Sequence, residues 1–483
     1  MSAVGSILTN TGALDALNSI SATSANTNNL ESQLSSGLSI SSPADNPAGY
    51  ITAQGFTSQL NGITQAISNA NQGVSLLQTA QGAITQQIGV VQQLNSIAVQ
   101  AANGTQTSAE SQSLQNLVGQ LTGQVSTIAN QTQFNNINLL DGTFNGKQFQ
   151  VGANEGQTMT LSIGSTSANA IGMYATSANA TTYSTGTNAA SGVVSATGAF
   201  TAGSVSITGP TGGSASFATT KTESAALAAN AVNAVSGTTG VQAEATTTAS
   251  FDLTAGTTSG TYAFALQAGN GSGGAGSAIG TAISVNASSL SEAVSQINQQ
   301  TSTSGIVASD SSGALTLTQE AGQNISFAVG TAASGGTITT TGGKAVATGD
   351  TLQGQVQFQS SAAFSIAGTG SVANNPATLN SLAGINVSTT SGANSAINVV
   401  KYALAALNNQ GGSLGAVQQS LTANINNMNT TSQNLTTALG VVQDANIPAV
   451  STQLTEAQIQ AQSGVAALKS STQLQQSYLS LLP

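Results

Sequence analysis

The sequence predicts a mainly α protein whose N- and C-terminal helices pair as a coiled-coil bundle around a β-rich (α+β) outer insert. Three observations predict it: a seven-residue apolar repeat near each end, a middle segment dominated by Ala, Gly, Ser and Thr, and very little charge. Only 4% of the 483 residues are charged, against roughly 25% in an ordinary soluble protein.

The first long helix rests on Phe56, Ile63, Ala70, Leu77, Ile84, Val91 and Ala98, an unbroken heptad series. A second series, Leu60, Ile67, Val74, Gln81, Ile88 and Asn95, runs beside it and turns polar toward its end. Residues 101–105, Ala-Ala-Asn-Gly-Thr, break that helix, and a further stripe follows at Leu114, Leu117, Leu121, Val125 and Ile128. Near the other end the period returns at Val400, Leu407, Leu414, Leu421, Met428, Leu435 and Val442. Leu404, Ile425 and Leu439 belong to its companion series, interrupted by Gly411, Gln418 and Ser432.

Gly62, Gly73, Gly82 and Gly89 interrupt the first helix, each costing about 1 kcal/mol relative to Ala. Burial of one large seam residue contributes about 1.5–3 kcal/mol. The stripe therefore outweighs the glycines only against a partner, and the matching stripe lies at the far end of the chain. Shorter stripes at Leu14, Leu17, Leu30 and Leu34, and at Val465, Leu468, Leu479 and Leu482, have no obvious partner left. They predict helices that order when neighbouring subunits complete their core.

The insert, about 166–391, carries short alternating runs at 204–209, 261–268 and 314–319 that read as strands between Gly-rich turns. Residues 228–245 also match 293–310 at constant offset, placing Val232 on Ile297, Asn233 on Asn298, Gly240 on Gly305 and Ala243 on Ala308. Each copy reads as a short helix, a turn and a strand.

Composition excludes several function classes. Five Lys, no Arg, no His and 15 acidic residues give a formal charge of −10, which leaves nothing to neutralise a run of phosphates. Without Cys or His there is no thiolate or imidazole for a metal, a nucleophile or a general base. No enzyme and no cofactor are expected. No apolar run nears the roughly 18 residues that suggest a membrane span, and residues 1–20 lack the pattern of a secretory signal peptide. Gly-Asn-Gly-Ser-Gly-Gly at 269–274 has the glycines of a dinucleotide loop but no helix after it, and Gly-Gly-Lys at 342–344 lacks the upstream glycine of a phosphate loop. Asp45 and Asp141 read as loop caps, and Met159 and Met428 as core. Asn103-Gly-Thr105 is a nominal glycosylation sequon in a segment expected to pack.

Several stretches together resemble bacterial flagellin. Residues 34–50, LSSGLSISSPADNPAGY, are similar to the family's join between its inner terminal helix and its long helix. SNANQGVSLLQTAQGAI (68–84) and IAVQAANGT (97–105) follow the family pattern closely, as do the C-terminal stretches QNLTTALGVVQDANI and SYLSLLP. TQFNNINLLDG (132–142) and FQVGANEGQTM (149–159) are similar to its loop and β-hairpin. The resemblance covers roughly 1–165 and 392–483.

It implies a homo-polymeric helical filament for swimming motility, outside the cell. Segments 1–44 and 455–483 would form the inner terminal-helix domain. Residues 45–165 and 392–454 would form a coiled-coil wall with a β-hairpin, and 166–391 an outward-facing insert. It also implies the flagellar export apparatus, cap and hook-junction proteins as partners, with the hook–filament junction protein as the nearest rival reading. A secreted adhesin with a glycan-binding insert is the rival of another class. Charged family positions are uncharged here: the cluster used by the animal innate receptor aligns to Gln93, Asn95, Ser96 and Leu117. Protonating all 15 acids would move the formal charge only from −10 to +5, so adaptation to an acidic medium is expected, the alternative being dense packing or surface glycosylation of the Ser- and Thr-rich insert.

Overall fold

The computed structural model describes residues 10–176, 182–184, 203–210, 212–219, 224–254, 262–269, 278–329, 337–340, 345–347, 350–368 and 376–480. It has the mainly α architecture with a β-rich middle that the periodicities predict. α1 (Thr11–Ser36) starts at Asn10, whose side chain accepts from the Ala13 N–H, and ends at Gly37 with φ 73°, a left-handed position that suits glycine. Asp45 turns the chain by accepting from the N–H groups of Ser41 and Ser42, and α2 (Pro47–Ala101) follows without one charged residue. α3 (Ser108–Gln131) opens on a capping box: Thr107 Oγ1 accepts from the Glu110 N–H while the Glu110 carboxylate accepts from the Thr107 N–H at 2.7 Å.

Next come β1 (Gln133–Phe134) and β2 (Ile137–Asn138), joined by Asn135 and Asn136. Both asparagines have positive φ, the backbone that a tight hairpin turn requires. β3 (Lys147–Gln150) and β4 (Thr158–Leu161) form the longer hairpin.

The insert then runs through β5 (Gly172–Ala175), β6 (Thr182–Ser184), β7 (Gly203–Thr208), β8 (Ser214–Thr219), α4 (Ala225–Ala234), α5 (Ser236–Thr239) and the long β9 (Gln242–Thr254). It continues with β10 (Tyr262–Gly269), β11 (Ala278–Ala287), α6 (Leu290–Asn298), α7 (Thr301–Ser304), β12 (Ile306–Ser311), β13 (Ala314–Gln319) and β14 (Asn324–Val329). β15 (Thr337–Thr340), β16 (Thr351–Gln353), β17 (Gln355–Ser360), β18 (Ser365–Gly368) and β19 (Thr378–Ser381) complete it. The described strands form antiparallel sheets of order β18-β7-β8, β11-β10-β14-β16-β6 and β12-β13-β9-β17-β5-β19, with β15 also on β9. The expected strands at 204–209, 261–268 and 314–319 fall on β7, β10 and β13. Most of 269–274 and all of 342–344 lie outside the described residues.

α8 (Thr390–Gln443) and α9 (Ile447–Ser480) close the fold. The chain divides into two compact units whose boundary falls inside both α2 and α8. One comprises Met1–Gln78, Gly146–Ser162 and Gly415–Pro483, and the other Thr79–Asn145 and Ile163–Leu414.

In the first unit the β3–β4 hairpin lies on α2. Asn69 Nδ2 donates to the Gln150 carbonyl at 3.2 Å, and a Cβ on Gly62 would stand 3.0 Å from Ala153 Cβ. Close approach, rather than a turn, accounts for this mid-helix glycine. Gly62→Val is expected to cost about 1–3 kcal/mol through overpacking, despite the better helix propensity of Val. A thermal unfolding midpoint equal to that of the parent chain would show that the hairpin has room. The two links of this unit also run together: Ser39 N–H donates to the Gln443 carbonyl at 2.7 Å, and Ala445 N–H to the Gly37 carbonyl at 2.9 Å.

In the second unit, α8 holds the insert through polar contacts to β9. Tyr402 donates to Gln242 Oε1 at 3.0 Å and Asn398 to the Glu244 carboxylate, which also accepts from Gln359 of β17. Burial, with the neighbouring Glu244 charge, pushes the Tyr402 hydroxyl up to about 12.

One expectation is corrected. The terminal segments do have a partner within the chain, because α1 and α9 pack along each other. Leu30, Val450 and Ala457 form a small core there, with Leu454 and Ala445 against it. Two ends distant in sequence supply half a seam each, which a reading of each stripe alone does not reveal.

Candidate assembly surface

The contact between α1 and α9 mixes small residues with a few larger apolar ones. On α1 the inward positions are Ala13, Ala16, Ile20, Thr23 and Thr27, all half-buried, and Leu30, which is buried. On α9 they are Val450, Leu454, Ala457, Ala461, Gly464, Leu468 and Ser471. Gly464 allows the closest approach, since a Cβ there would meet Ile20 Cγ1 at 2.9 Å. At the far end Asn10, the α1 cap, donates to Gln475 Oε1 at 2.8 Å and accepts from the Ser471 hydroxyl at 3.1 Å.

Ala, Thr and Gly fill much of this seam, with Ile20, Leu30, Val450, Leu454 and Leu468 between them, and several other large apolar side chains face out. Leu14 and Leu17 are each 51% exposed and Val465 is 56% exposed. Leu34, Ile459 and Leu474 are exposed as well. Of the eight terminal positions that the sequence singles out, Leu30 is buried, Leu468 half-buried, and Leu14, Leu17, Leu34 and Val465 exposed. Leu482 and the side chain of Leu479 lie outside the described residues. Large apolar side chains are thus left in solvent on both helices, surface available to another molecule.

Along the wall helices the first heptad series is the buried one. Ile63, Leu77, Ile84 and Val91 of α2 are buried, as are Leu407, Leu414, Leu421 and Met428 of α8. Phe56, Leu404, Leu435, Leu60, Ile67, Val74, Ile88, Ile425 and Leu439 are half-buried. The second buried row of α2 lies one residue earlier than read, at Ala66, Gly73, Ala80, Gln87, Leu94 and Ala101. Small side chains on that row admit neighbours: a Cβ on Gly73 would stand 3.3 Å from Leu421 Cδ1 and 3.6 Å from Phe149 Cδ1. Gln87 was hidden by its polarity. Fully buried, it donates through Nε2 to the Val125 carbonyl at 3.0 Å and the Thr166 carbonyl at 3.2 Å.

Between α2 and α8 of the second unit lies an open groove of about 410 Å³ lined by Gln81, Ile84, Thr85, Ile88, Asn408, Gly411 and Gly412, with no titratable side chain. Among the described residues no group of three or more His, Cys, Asp or Glu could hold a metal ion, and no helix is long and apolar enough to cross a membrane. Gln93 and Ser96 are exposed, Asn95 is half-buried, and Leu117 is 40% exposed.

The acidic groups serve as caps. The Ser42 and Ser41 N–H groups hold Asp45 below the usual carboxylate range, and Thr107 does the same for Glu110. Thr143 and Asn138 lower Asp141, and Ser288 lowers Glu292. In each case donors that favour the ionised form outweigh desolvation.

Compared with known proteins, residues 7–145 match the bacterial flagellin N-terminal helical region, and residues 397–482 match its C-terminal helical region. The B-type flagellin of Pseudomonas aeruginosa is 31% identical over 498 aligned residues, covering 98% of this chain and 99% of that protein. Among solved structures, FliC from Burkholderia pseudomallei is 19% identical with a TM-score of 0.31, over 72% of this chain and 99% of that one. The flagellar junction protein FlgL from Legionella pneumophila is 11% identical with a TM-score of 0.30, over 82% and 99%. Superpositions that loose do not separate the two.

Proposed function

We propose, from the premise that the chain belongs to the bacterial flagellin family, that its copies polymerise by burying the outer face of the α1–α9 pair against one another. The protein is a structural subunit of the extracellular flagellar filament. The observation that carries the assembly reading is the set of exposed apolar side chains, Leu14, Leu17, Ile459, Val465 and Leu474, on helices whose mutual seam mixes Ala, Thr and Gly with a few larger residues such as Ile20, Leu30 and Val450. In this reading segments 1–44 and 455–483 are the inner assembly domain, 45–165 and 392–454 the wall, and 166–391 the outer surface. The same reading has the subunit exported through the flagellar channel and added at the tip with the help of a cap. A helical reconstruction of native filaments tests the reading: solvent on the Leu14 and Val465 side chains would overturn it.

The low charge supports a finer reading, assembly that withstands acid. Hydroxyls take the place of ion pairs along the helices: Thr64 donates to the Leu60 carbonyl at 2.8 Å, Thr85 to Gln81 at 2.9 Å, Thr422 to Gln418 at 2.9 Å and Thr436 to Ser432 at 2.8 Å. These bonds do not titrate, and surface ion pairs would have contributed only about 0.3–0.5 kcal/mol each.

The sign of the remaining pH dependence follows from the caps. Asp45, Glu110, Asp141 and Glu292 have folded-state pKa values below their unfolded values. Their stabilisation is complete above the unfolded values and disappears only as pH falls below that range and through the lowered ones. Filaments are therefore expected to stay sedimentable from neutral pH to about pH 3, at the edge of that range. Release of most subunits to the supernatant over that interval would remove the acid reading.

Gln93, Asn95, Ser96 and Leu117 carry no charge, so a cell reporter for the animal innate receptor is expected to respond weakly or not at all to purified monomer. A full-strength response would contradict this.

A further inference from the structure

We infer that the outer insert contains two copies of one folding unit, the second inserted into a single turn of the first. The outer copy runs through the β7–β8 hairpin, α4, α5, the first part of β9, β17 and β18. The inner copy runs through the β10–β11 hairpin, α6, α7, β12, β13 and β14. Sheet order agrees, β18-β7-β8 against β14-β10-β11, and so do the strand pairs, β9 with β17 against β12 with β13.

Local chemistry agrees position by position. Ser224 and Ser289 cap α4 and α6 with their hydroxyls. Asn233 donates to the Ala243 carbonyl and accepts from the Ala243 N–H, at 3.0 and 2.8 Å; Asn298 does both with Ala308, each at 2.8 Å. Gly240 and Gly305 end the short helices at φ 67° and 69°. Thr239 and Ser304, both buried, accept from the N–H groups of Val241 and Ile306. In the two cores Val232, Val241, Val356 and Phe358 stand where Ile297, Ile306, Leu315 and Leu317 stand.

The point of insertion follows from register. In the inner copy Ser311 pairs with Ala314, and Ser312-Gly313 makes the turn, with φ 57° and 88°. The equivalent pair in the outer copy is Thr246 with Gln355. Residues 247–354, the inner copy with its flanks, thus occupy the place of a two-residue turn. Their ends adjoin, since a Cβ on Gly354 would clash with the Thr246 carbonyl and Thr247 Oγ1. The outer copy is therefore complete without the inner one, and the Ser312-Gly313 turn is the place where this unit accepts inserted chain.

The test replaces residues 247–354 of the full chain by Ser-Gly. Excision removes the Gly322 carbonyl that accepts from the Ala226 N–H, so a lower melting temperature is expected. The Ala243 and Phe358 amides should nevertheless exchange within about tenfold of their rates in the intact chain, as for a unit that still folds. Exchange at the unstructured rate there, with α8 still protected, would overturn the inference. Because a large excision can fail to yield protein, a second variant inserts a flexible Gly-Ser segment between Ser312 and Gly313. Protection at Ala308 and Leu317 should persist, and its loss would overturn the inference independently.

Discussion

Replacing Leu14 and Val465 together by Asp is expected to abolish polymerisation while leaving the monomer folded. Both side chains are more than half exposed in the single chain, where surface substitutions usually change stability by no more than about 0.5 kcal/mol. In a polymer every subunit would bury both positions, so two carboxylates would lose water, and the cation nearest in sequence, Lys469 four residues after position 465, can meet only one of them. An unpaired polar group costs about 1–3 kcal/mol on burial, and a charge costs more. Two such sites raise the critical concentration at least about a hundredfold. Sedimentation across a concentration series reads the effect, and circular dichroism of the supernatant checks the helices. An unaltered critical concentration would place the contact elsewhere. Leu14→Ala and Val465→Ala should shift it far less, because they remove apolar area without adding charge.

The reasons the sequence disclosed some of this and hid the rest are physical. Series such as Val400, Leu407, Leu414, Leu421 and Met428 were legible because burial of large apolar side chains is periodic along one partner-facing line, and all five are buried. The second row of α2 was obscured because it is built from Ala66, Gly73, Ala80 and Gln87. Small or polar residues do not announce a seam, yet they are what a close neighbour requires. The α1–α9 seam was hidden for a similar reason: Ala, Thr and Gly make up much of the inward face, and of the conspicuous leucines of α1 Leu14, Leu17 and Leu34 are exposed while Leu30 is buried. In the insert the Asn233 and Asn298 match was visible, but the nesting of one copy in the other needs strand register, which no single stretch encodes.

Leu77→Ala is the substitution with the largest expected cost to the subunit itself. Leu77 is fully buried on the first series of α2, and truncating such a side chain in a core costs about 2–5 kcal/mol, depending on how far the cavity collapses. Both rows around it leave little scope for collapse, since Ala80 and Gly73 have no side-chain length with which to fill the gap. Helix propensity cannot offset the loss, as Leu and Ala differ by only a few tenths of a kcal/mol. Ile88→Ala provides the comparison on the same helix. Ile88 is half-buried at the open groove beside Gly411 and Gly412, so its loss should cost about half as much in the isolated subunit. Chemical denaturation of both variants as monomers reads the difference. Equal costs would mean that the wall seam runs along the series through Ile88, contrary to the register in which Leu77 and Leu94 are buried.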